Sequence, residues 1–578
     1  MINLDEDKKK GNIISRGLLQ ICDNPLILLI LITLGVISYI ISIQMRIGVP
    51  YWDVFNYLNN ALYFAGIDGG SVSLFLPPLI PILTSFIFRL GYVSINAIFI
   101  VSGFIFLIGV IGFYFLLKER FNPIQSFAGS IFFISLPVIS SWIVSGGIDI
   151  PGVVFSVWAV YFLITGLKKD SRLLYLVLPT LIIAMMARYT SGLLIIPLCF
   201  YILINLNDFR RIKTLKKIIA GILVEFGVLI AGVLYFFVKM GAGASILNLI
   251  FAVATATSTG AGDVAYNPNN LYYLQNLLNY ISIGPLQGTY QQILNPSMGV
   301  PSIISYLIAI IIAFGLLLYI YNGAKSRFEE VDLTASKAVL LKSILITVLV
   351  VGFIISFYYQ SLIISEILLF STLYTIYRFL FTGKNTPLNS KTGLDFMFLS
   401  WFAAFLIFHS ILPFKVDRYF ITMAPAMVYF IILGLSEFIK FVYKIKPGVK
   451  LSSSRKCGIW IIIGLIVLFS ATATYTGHAP KKTFTLDIAS ASNWLTDYDP
   501  DYQHKNIRSD YPNAVGWYLK MDILGAYPRL YNTTSEFNDY LTSNGVDYFI
   551  DSTSQNHPDL ESYKIINSFG VVVIYQRV

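Results

Sequence analysis

Long apolar runs separated by short polar loops fill the first 475 residues of the chain. About 20 apolar residues are what a helix needs to cross the hydrocarbon core of a bilayer. The pattern therefore predicts an all-α polytopic membrane bundle of thirteen spans, near 26–43, 95–117, 124–143, 150–167, 173–188, 190–206, 218–238, 303–321, 339–358, 362–381, 395–412, 420–440 and 457–475.

One further apolar stretch, 74–91, is not counted as a span. It contains three prolines and Arg89, which favour an irregular segment at the membrane interface over a regular spanning helix. With this stretch left out, the basic loops fall on one side of the membrane, as the positive-inside rule requires. We therefore expect a cytoplasmic N-terminus and an outer C-terminus.

After residue 475 the composition changes to that of a soluble domain. The pattern predicts a helix over 487–497, strands over 506–509, 546–550 and 571–575, and a helix from a capping box at Thr533–Glu536 to Ser543. We expect a transmembrane module, 1–475, with outer loops 46–94, 144–149, 240–302 and 413–419. A small extracytoplasmic α/β domain, 476–578, follows it.

The outer loop 240–302 is polar and almost without charge. Leu271, Leu274, Leu278 and Ile281 share one helical face, which is typical of an amphipathic helix lying on a bilayer. Four flanking glycines are predicted to let the loop move and close over a bound substrate: Gly241, Gly243, Gly260 and Gly262.

Composition agrees with a membrane protein, since 56% of the residues are hydrophobic and 12% are charged. The net charge of +10 comes largely from short loops between apolar runs, so the lipid bilayer explains it and a nucleic-acid partner is not expected. The absence of a clustered Cys/His spacing gives no support to a zinc site.

Several charged residues fall at the outer ends of spans, where the loop bias does not place them: Asp53, Asp149, Arg188, Lys415, Asp417 and Arg418. A charge near lipid is costly unless it is paired or functional. A structural role without function is an alternative interpretation for several of these residues. Asp53 could cap a helix over 54–64, Arg188 could extend from a helix end to water, and Lys415 to Arg418 could form a local ion pair.

Five motifs in order resemble the GT-C superfamily of polyprenyl-phosphate-sugar-dependent transferases. The nearest branch is that of the protein O-mannosyltransferases and lipid A aminoarabinose transferases. The motifs are Asp53 with Tyr57 and Ala61, Leu76-Pro-Pro-Leu-Ile-Pro81, Gly147-Ile-Asp-Ile-Pro151, Ala187-Arg-Tyr-Thr-Ser-Gly192 and Lys415-Val-Asp-Arg-Tyr419. Val54 stands where many relatives have an acidic residue, and no Asp-x-Asp surrounds Asp149.

The resemblance implies an enzyme that moves a hexosyl or pentosyl group from a polyprenyl- or dolichyl-phosphate donor to a hydroxyl of a protein, lipid or glycan outside the cytoplasm. Asp53 is then expected to act as general base in an inverting transfer, with Asp149 assisting it or sharing a divalent cation with it. Lys415, Arg418 and Arg188 are expected to bind the donor phosphate. Tyr57 and Tyr419 are expected to orient the substrate.

A secondary transporter of a small solute is the alternative function. It would explain the bundle and the intramembrane Glu225 and Glu366, but it predicts two related halves that the sequence does not show. An archaeal or bacterial plasma membrane is the expected location.

Overall fold

The computed structural model describes residues 24–49, 52–206, 210, 212, 215–240, 267–281, 303–328, 337–381, 390–413, 415–445, 453–477, 484–552 and 557–578. The glycines predicted to flank the outer-loop helix, Gly241, Gly243, Gly260 and Gly262, lie outside these residues. The described residues form two compact units. Unit 1 comprises 1–36, 105–143 and 148–478, and unit 2 comprises 37–104, 144–147 and 479–578.

The helices up to residue 239 are α1 Leu26–Ile47, α2 Trp52–Ala65, α3 Leu79–Arg89, α4 Ile95–Lys118, α5 Pro123–Ser135, α6 Pro137–Ser140, α7 Asp149–Lys168, α8 Val177–Ala187, α9 Ile195–Ile204 and α10 Leu215–Lys239. Beyond it lie α11 Tyr272–Gln275, α12 Leu277–Tyr280, α13 Ile303–Phe328, α14 Lys337–Tyr358, α15 Leu362–Phe381, α16 Ser390–Ile411, α17 Ala424–Ile445 and α18 Ser453–Gly477. The C-terminal helices are α19 Phe484–Tyr498, α20 Pro512–Leu519 and α21 Thr534–Ser543.

Among the described residues, nine helical segments are long and apolar enough to cross a membrane, and each matches a predicted span. They lie in α1, α4, α7, α10, α13, α14, α15, α16 and α17. The other four predicted spans coincide with shorter apolar helices, Pro123–Ser135, Ser171–Ala187, Tyr189–Ile204 and Cys457–Phe469. The chain is thus a helical multi-span membrane protein.

The shorter helices end where the sequence interrupts the regular backbone. Leu136 is extended because it precedes Pro137, so the predicted span 124–143 is divided between α5 and α6. Arg188 is also extended, and 3₁₀ turns follow at Tyr189–Leu194. The uncounted stretch 74–91 contains the 11-residue α3, which at about 1.5 Å per residue is too short to cross a bilayer.

The C-terminal residues carry a mixed five-stranded sheet of order β2-β1-β3-β5-β4. Its strands are β1 Ile507–Ser509, β2 Leu524–Gly525, β3 Tyr548–Asp551, β4 Tyr563–Phe569 and β5 Val572–Arg577. β1 pairs in parallel with β2 and β3, whereas β5 is antiparallel to both β3 and β4. Phe537, Leu541, Phe549 and Tyr575 contribute to the core between the sheet and α21.

Within unit 2, the helices of the first outer loop pack against the C-terminal residues. Phe55 of α2 makes edge contacts with Tyr511 and Tyr518, at ring-centroid distances of 6.2 and 5.9 Å. The Asn59 side-chain amide donates a hydrogen bond to the carbonyl oxygen of Asn513 at 3.0 Å. The predicted division into 1–475 and 476–578 stays a prediction, and the first outer loop is part of the compact unit that holds the sheet.

Within unit 1, α13 and α17 cross at two glycines. A methyl group at Gly315 would overlap the backbone carbonyl of Gly434, and one at Gly434 would lie 2.6 Å from the carbonyl oxygen of Ile312. Small residues at a crossing let two membrane helices approach closely. Close packing then stabilises their association, because the hydrophobic effect does not drive helices together in lipid.

We predict that Gly315→Ala lowers the melting temperature of the purified protein by several degrees, because the added methyl group has no space and overpacking costs about 1–3 kcal/mol. Gly323→Ala is the matched control, since it lies in the same helix with no atom within 4 Å of the new methyl group. Equal melting temperatures for the two variants would contradict this crossing.

Candidate active site

The first part of the site is the start of α7, where Asp149 is 2% exposed. An acidic residue is favourable in a first helical turn because the backbone N–H groups there are unpaired and carry partial positive charge. Pro151 fits in the same turn, where its missing N–H costs no hydrogen bond. The sequence thus places a buried carboxylate at the end of a spanning helix.

Arg188 forms an ion pair with this carboxylate. Its guanidinium contacts Oδ1 of Asp149, and its Nε donates to Oγ1 of Thr190 at 2.7 Å. Gly152 permits this approach, because a methyl group at that position would lie 2.6 Å from Cβ of Arg188. Arg188 is itself 4% exposed, so its side chain lies inside the protein and does not extend to water.

Arg418 approaches the same carboxylate from the turn Asp417–Met423. Its Nε lies 4.0 Å from Oδ2 of Asp149, and its guanidinium carbon lies 5.5 Å from the centre of the Trp142 ring. The Tyr419 ring lies 5.1 Å from the Arg188 guanidinium carbon and 5.9 Å from that of Arg418. The structure therefore brings together Asp149, Arg188, Arg418 and Tyr419 from three distant parts of the sequence.

A second buried carboxylate, Asp417, joins this turn to the outer loop. The hydroxyls of Tyr272 and Tyr280 both donate to its Oδ1, at 2.6 and 2.7 Å, and the Tyr273 hydroxyl donates to the carbonyl oxygen of Val416 at 3.1 Å. Burial and the neighbouring Asp417 charge raise the pKa of Tyr272, so its hydroxyl stays a donor. Sequence reasoning missed these tyrosines.

The described part of the loop differs from the predicted amphipathic helix. Two single turns, α11 and α12, take the place of one continuous helix. Leu271 and Leu274 are 48% and 45% exposed, while Tyr280 stacks on Phe420 at 4.1 Å. The tyrosine contacts, which the leucine periodicity does not reveal, hold this segment on the turn that carries Arg418.

Lys415 is placed differently from the arginines. Its ammonium is buried and donates to the carbonyl oxygens of Ser410, at 2.8 Å, and of Leu412, at the end of α16. These two bonds use two of the three N–H groups of the ammonium. The predicted phosphate-binding role of Lys415 stays a prediction.

Asp53 and Tyr57 lie in unit 2, so their predicted meeting with Asp149 stays a prediction. Asp53 is in the first turn of α2, and Tyr57 is buried one turn later. Burial, together with the charges of Asp53 and Asp510, raises the pKa of Tyr511. Asp53 is therefore close to the C-terminal residues that follow β1.

Within the described ranges, no group of three or more His, Cys, Asp or Glu residues could hold a metal ion. The divalent cation shared by Asp53 and Asp149 is predicted from those two carboxylates alone, and it stays a prediction.

We predict strong non-additivity between Asp149→Asn and Arg188→Gln. Asp149→Asn removes the carboxylate that pairs with Arg188, and Arg188→Gln leaves that carboxylate with only the more distant Arg418. Breaking a buried ion pair costs about 3–5 kcal/mol of folding free energy. The double variant should lose much less stability than the sum of the two single variants, measured by thermal unfolding in detergent. Additive losses would contradict the ion pair.

The buried ammonium of Lys415 predicts a pH effect on stability. Burial lowers the pKa of Lys415 to about 8, below its ordinary value of 10.5, so the unfolded chain binds more protons between these values. The free energy of unfolding contributed by this group should therefore rise from about pH 8 to about pH 10.5. In thermal melts, wild type should gain stability over this interval relative to Lys415→Met; a constant difference would refute it.

Comparison with known proteins gives two kinds of match. The family model described as dolichyl-phosphate-mannose-protein mannosyltransferase matches residues 76–236, a segment that contains Asp149 and Arg188. No curated protein sequence matches the chain.

Two solved structures of ArnT from Cupriavidus metallidurans resemble the chain in fold. The structure bound to undecaprenyl phosphate aligns with a TM-score of 0.58 and 12% identity, covering 96% of this chain and 98% of that one. The apo structure aligns with a TM-score of 0.55 and 12% identity, covering 96% and 97%. At this identity the likeness concerns the fold alone. The family match over residues 76–236 and the shared fold both agree with the predicted resemblance to the GT-C superfamily.

Proposed function

We propose that this enzyme moves a sugar from a polyprenyl- or dolichyl-phosphate donor to a hydroxyl of a protein, lipid or glycan acceptor outside the cytoplasm. The supporting observation is the meeting of Arg188 and Arg418 at the one buried carboxylate of Asp149. Guanidinium groups held together in a buried setting suit a phosphate group, because each can bind two phosphate oxygens.

The departing group in such a transfer is a lipid phosphate, on which negative charge grows as the glycosidic bond breaks. Arginine suits this role because its planar guanidinium can bind two phosphate oxygens and remains protonated at neutral pH. Donors held in place before the reaction stabilise this growing charge most effectively. In this proposal Asp149 positions the two arginines, Tyr419 supports both, and Lys415 would add a third cation if its ammonium turned towards the phosphate.

The proposed base is Asp53, which takes the proton of the acceptor hydroxyl as that oxygen attacks the anomeric carbon. A single direct displacement inverts the anomeric configuration. Tyr57 and Tyr419 would orient the substrates. The contacts of α2 with Tyr511 and Asn513 support an acceptor site that includes these C-terminal residues.

The proposed topology has thirteen spans, a cytoplasmic N-terminus and an outer C-terminal domain in an archaeal or bacterial plasma membrane. The distribution of basic loops supports it, as does the shortness of α3. A donor carried by a lipid fits this orientation, because nucleotide sugars are cytoplasmic.

We predict that Asp53→Asn lowers sugar transfer by about 10²–10⁴-fold, the usual contribution of a general base, while binding of the lipid donor is retained. The assay incubates purified protein with a panel of radiolabelled lipid-phosphate sugars and measures the label that leaves the lipid. Asp68→Asn is the matched control, since Asp68 is an exposed carboxylate of the same outer loop. Unchanged transfer by Asp53→Asn would refute its role as base, and lost solute transport with retained transfer would favour the transporter.

A further inference from the structure

A cavity of about 490 Å³ lies within unit 1 at the ends of four helices. Lys118 ends α4, Arg120 and Asn122 lead into α5, Lys391 is near the start of α16, and Lys440 is near the end of α17. The predicted topology puts all of these residues on the cytoplasmic side, opposite to Asp149. We call this space the Lys118 cavity.

The charged side chains that line the Lys118 cavity are four cations and two carboxylates. Glu119 pairs with Lys169 at 2.5 Å, and Glu437 pairs with Lys440 at 2.6 Å. Both lining carboxylates therefore have a cation partner. The lining side chains carry four positive and two negative formal charges, a balance that favours an anionic ligand.

One wall of the cavity is held by a buried network. Arg120 Nε lies 3.0 Å from Oδ1 of Asp395, and the hydroxyls of Tyr319 and Tyr429 also donate to that carboxylate. The side chains of Arg120 and Asp395 are 12% and 6% exposed, so their positions are fixed by packing as well as by charge. The cation at this wall is thus placed before any ligand arrives.

The start of α5 supplies further polar groups. The Asn122 side chain accepts from the backbone N–H of Gln125 at 2.9 Å, and the Gln125 amide donates to Ser436 Oγ at 3.0 Å. The N-terminal end of a helix carries partial positive charge and favours anions. Here it lies beside Lys118 and Lys391, which adds a second source of positive potential to the cavity.

We propose that the Lys118 cavity binds the phosphate headgroup of an anionic phospholipid from the cytoplasmic leaflet. Basic pockets between membrane helices on this side suit such headgroups, and the apolar Phe121 and Leu433 also line the space. The bound phosphate joins the α4–α5 turn to α16 and α17, so it stabilises the bundle. This site does not depend on the proposed transfer reaction.

The test uses full-length protein, stripped of lipid in detergent, and measures both its melting temperature and the lipid it retains in native mass spectrometry. Phosphatidylglycerol should raise the melting temperature by several degrees, while phosphatidylcholine and inorganic phosphate should not. The variant Lys118→Gln with Lys391→Gln should weaken phosphatidylglycerol binding at least tenfold. Lys342→Gln, an exposed cation outside the cavity, is the matched control and should bind as wild type does.

Three results would overturn the proposal: equal phosphatidylglycerol binding by wild type and the double variant, an equal effect of phosphatidylcholine, or an equal effect of inorganic phosphate, which would indicate a site for a free anion. If the double variant does not fold, Glu437→Gln answers the same question. It removes a lining carboxylate and should tighten phosphatidylglycerol binding several-fold, and unchanged or weaker binding would count against the site.

Discussion

The buried carboxylate of Asp149 is the constraint on which the rest of the site depends. A charge removed from water is stable only when an opposite charge and hydrogen-bond donors replace its hydration. Asp149 obtains the opposite charge from Arg188 and Arg418, which come from chain segments about 40 and 270 residues away. The two guanidinium groups that stabilise the buried carboxylate of Asp149 therefore form a cluster of cations beside it.

The turn that carries Arg418 is held by a second arrangement of the same kind. Asp417 points its carboxylate to the hydroxyls of Tyr272 and Tyr280, while Tyr419 packs between the two arginines and stacks on His409 at 4.9 Å. Two neighbouring residues of one motif, Asp417 and Arg418, thus contact different parts of the protein. Asp417 accepts hydrogen bonds from the outer loop, and Arg418 contacts Asp149. A shift of the tyrosines of that loop would therefore displace Asp417 and, with it, the neighbouring Arg418.

Hydrophobic periodicity predicted the large features well because a bilayer imposes a fixed helix length. Nine spans appear as long helices, and the capping residue Thr533 accepts from the backbone N–H of Glu536, as its spacing predicts. The helix division at Pro137 was missed, because apolar composition continues through the break. Strand β4 was also missed, since its register shifts between Ile565 and Asn567 and the alternation of side chains is lost there.

The sequence indicated the members of the candidate cluster that carry a charge, and it missed the neutral side chains that contact them. Arg188 and Arg418 were found because cations at outer span ends need a reason. Tyr272 and Tyr280 carry no such signal, and their partner Asp417 lies more than 130 residues away, beyond any local pattern. The buried ammonium of Lys415 donates to backbone carbonyl oxygens, and no spacing of residues in the sequence predicts such a contact.

Binding of a polyprenyl phosphate to the purified protein, compared among wild type, Arg188→Gln and Arg418→Gln, tests the central claim most directly. If these arginines form one phosphate site, each variant should bind the lipid at least tenfold more weakly, and the two together should lose little more than either alone. Wild-type affinity in both single variants would contradict the account.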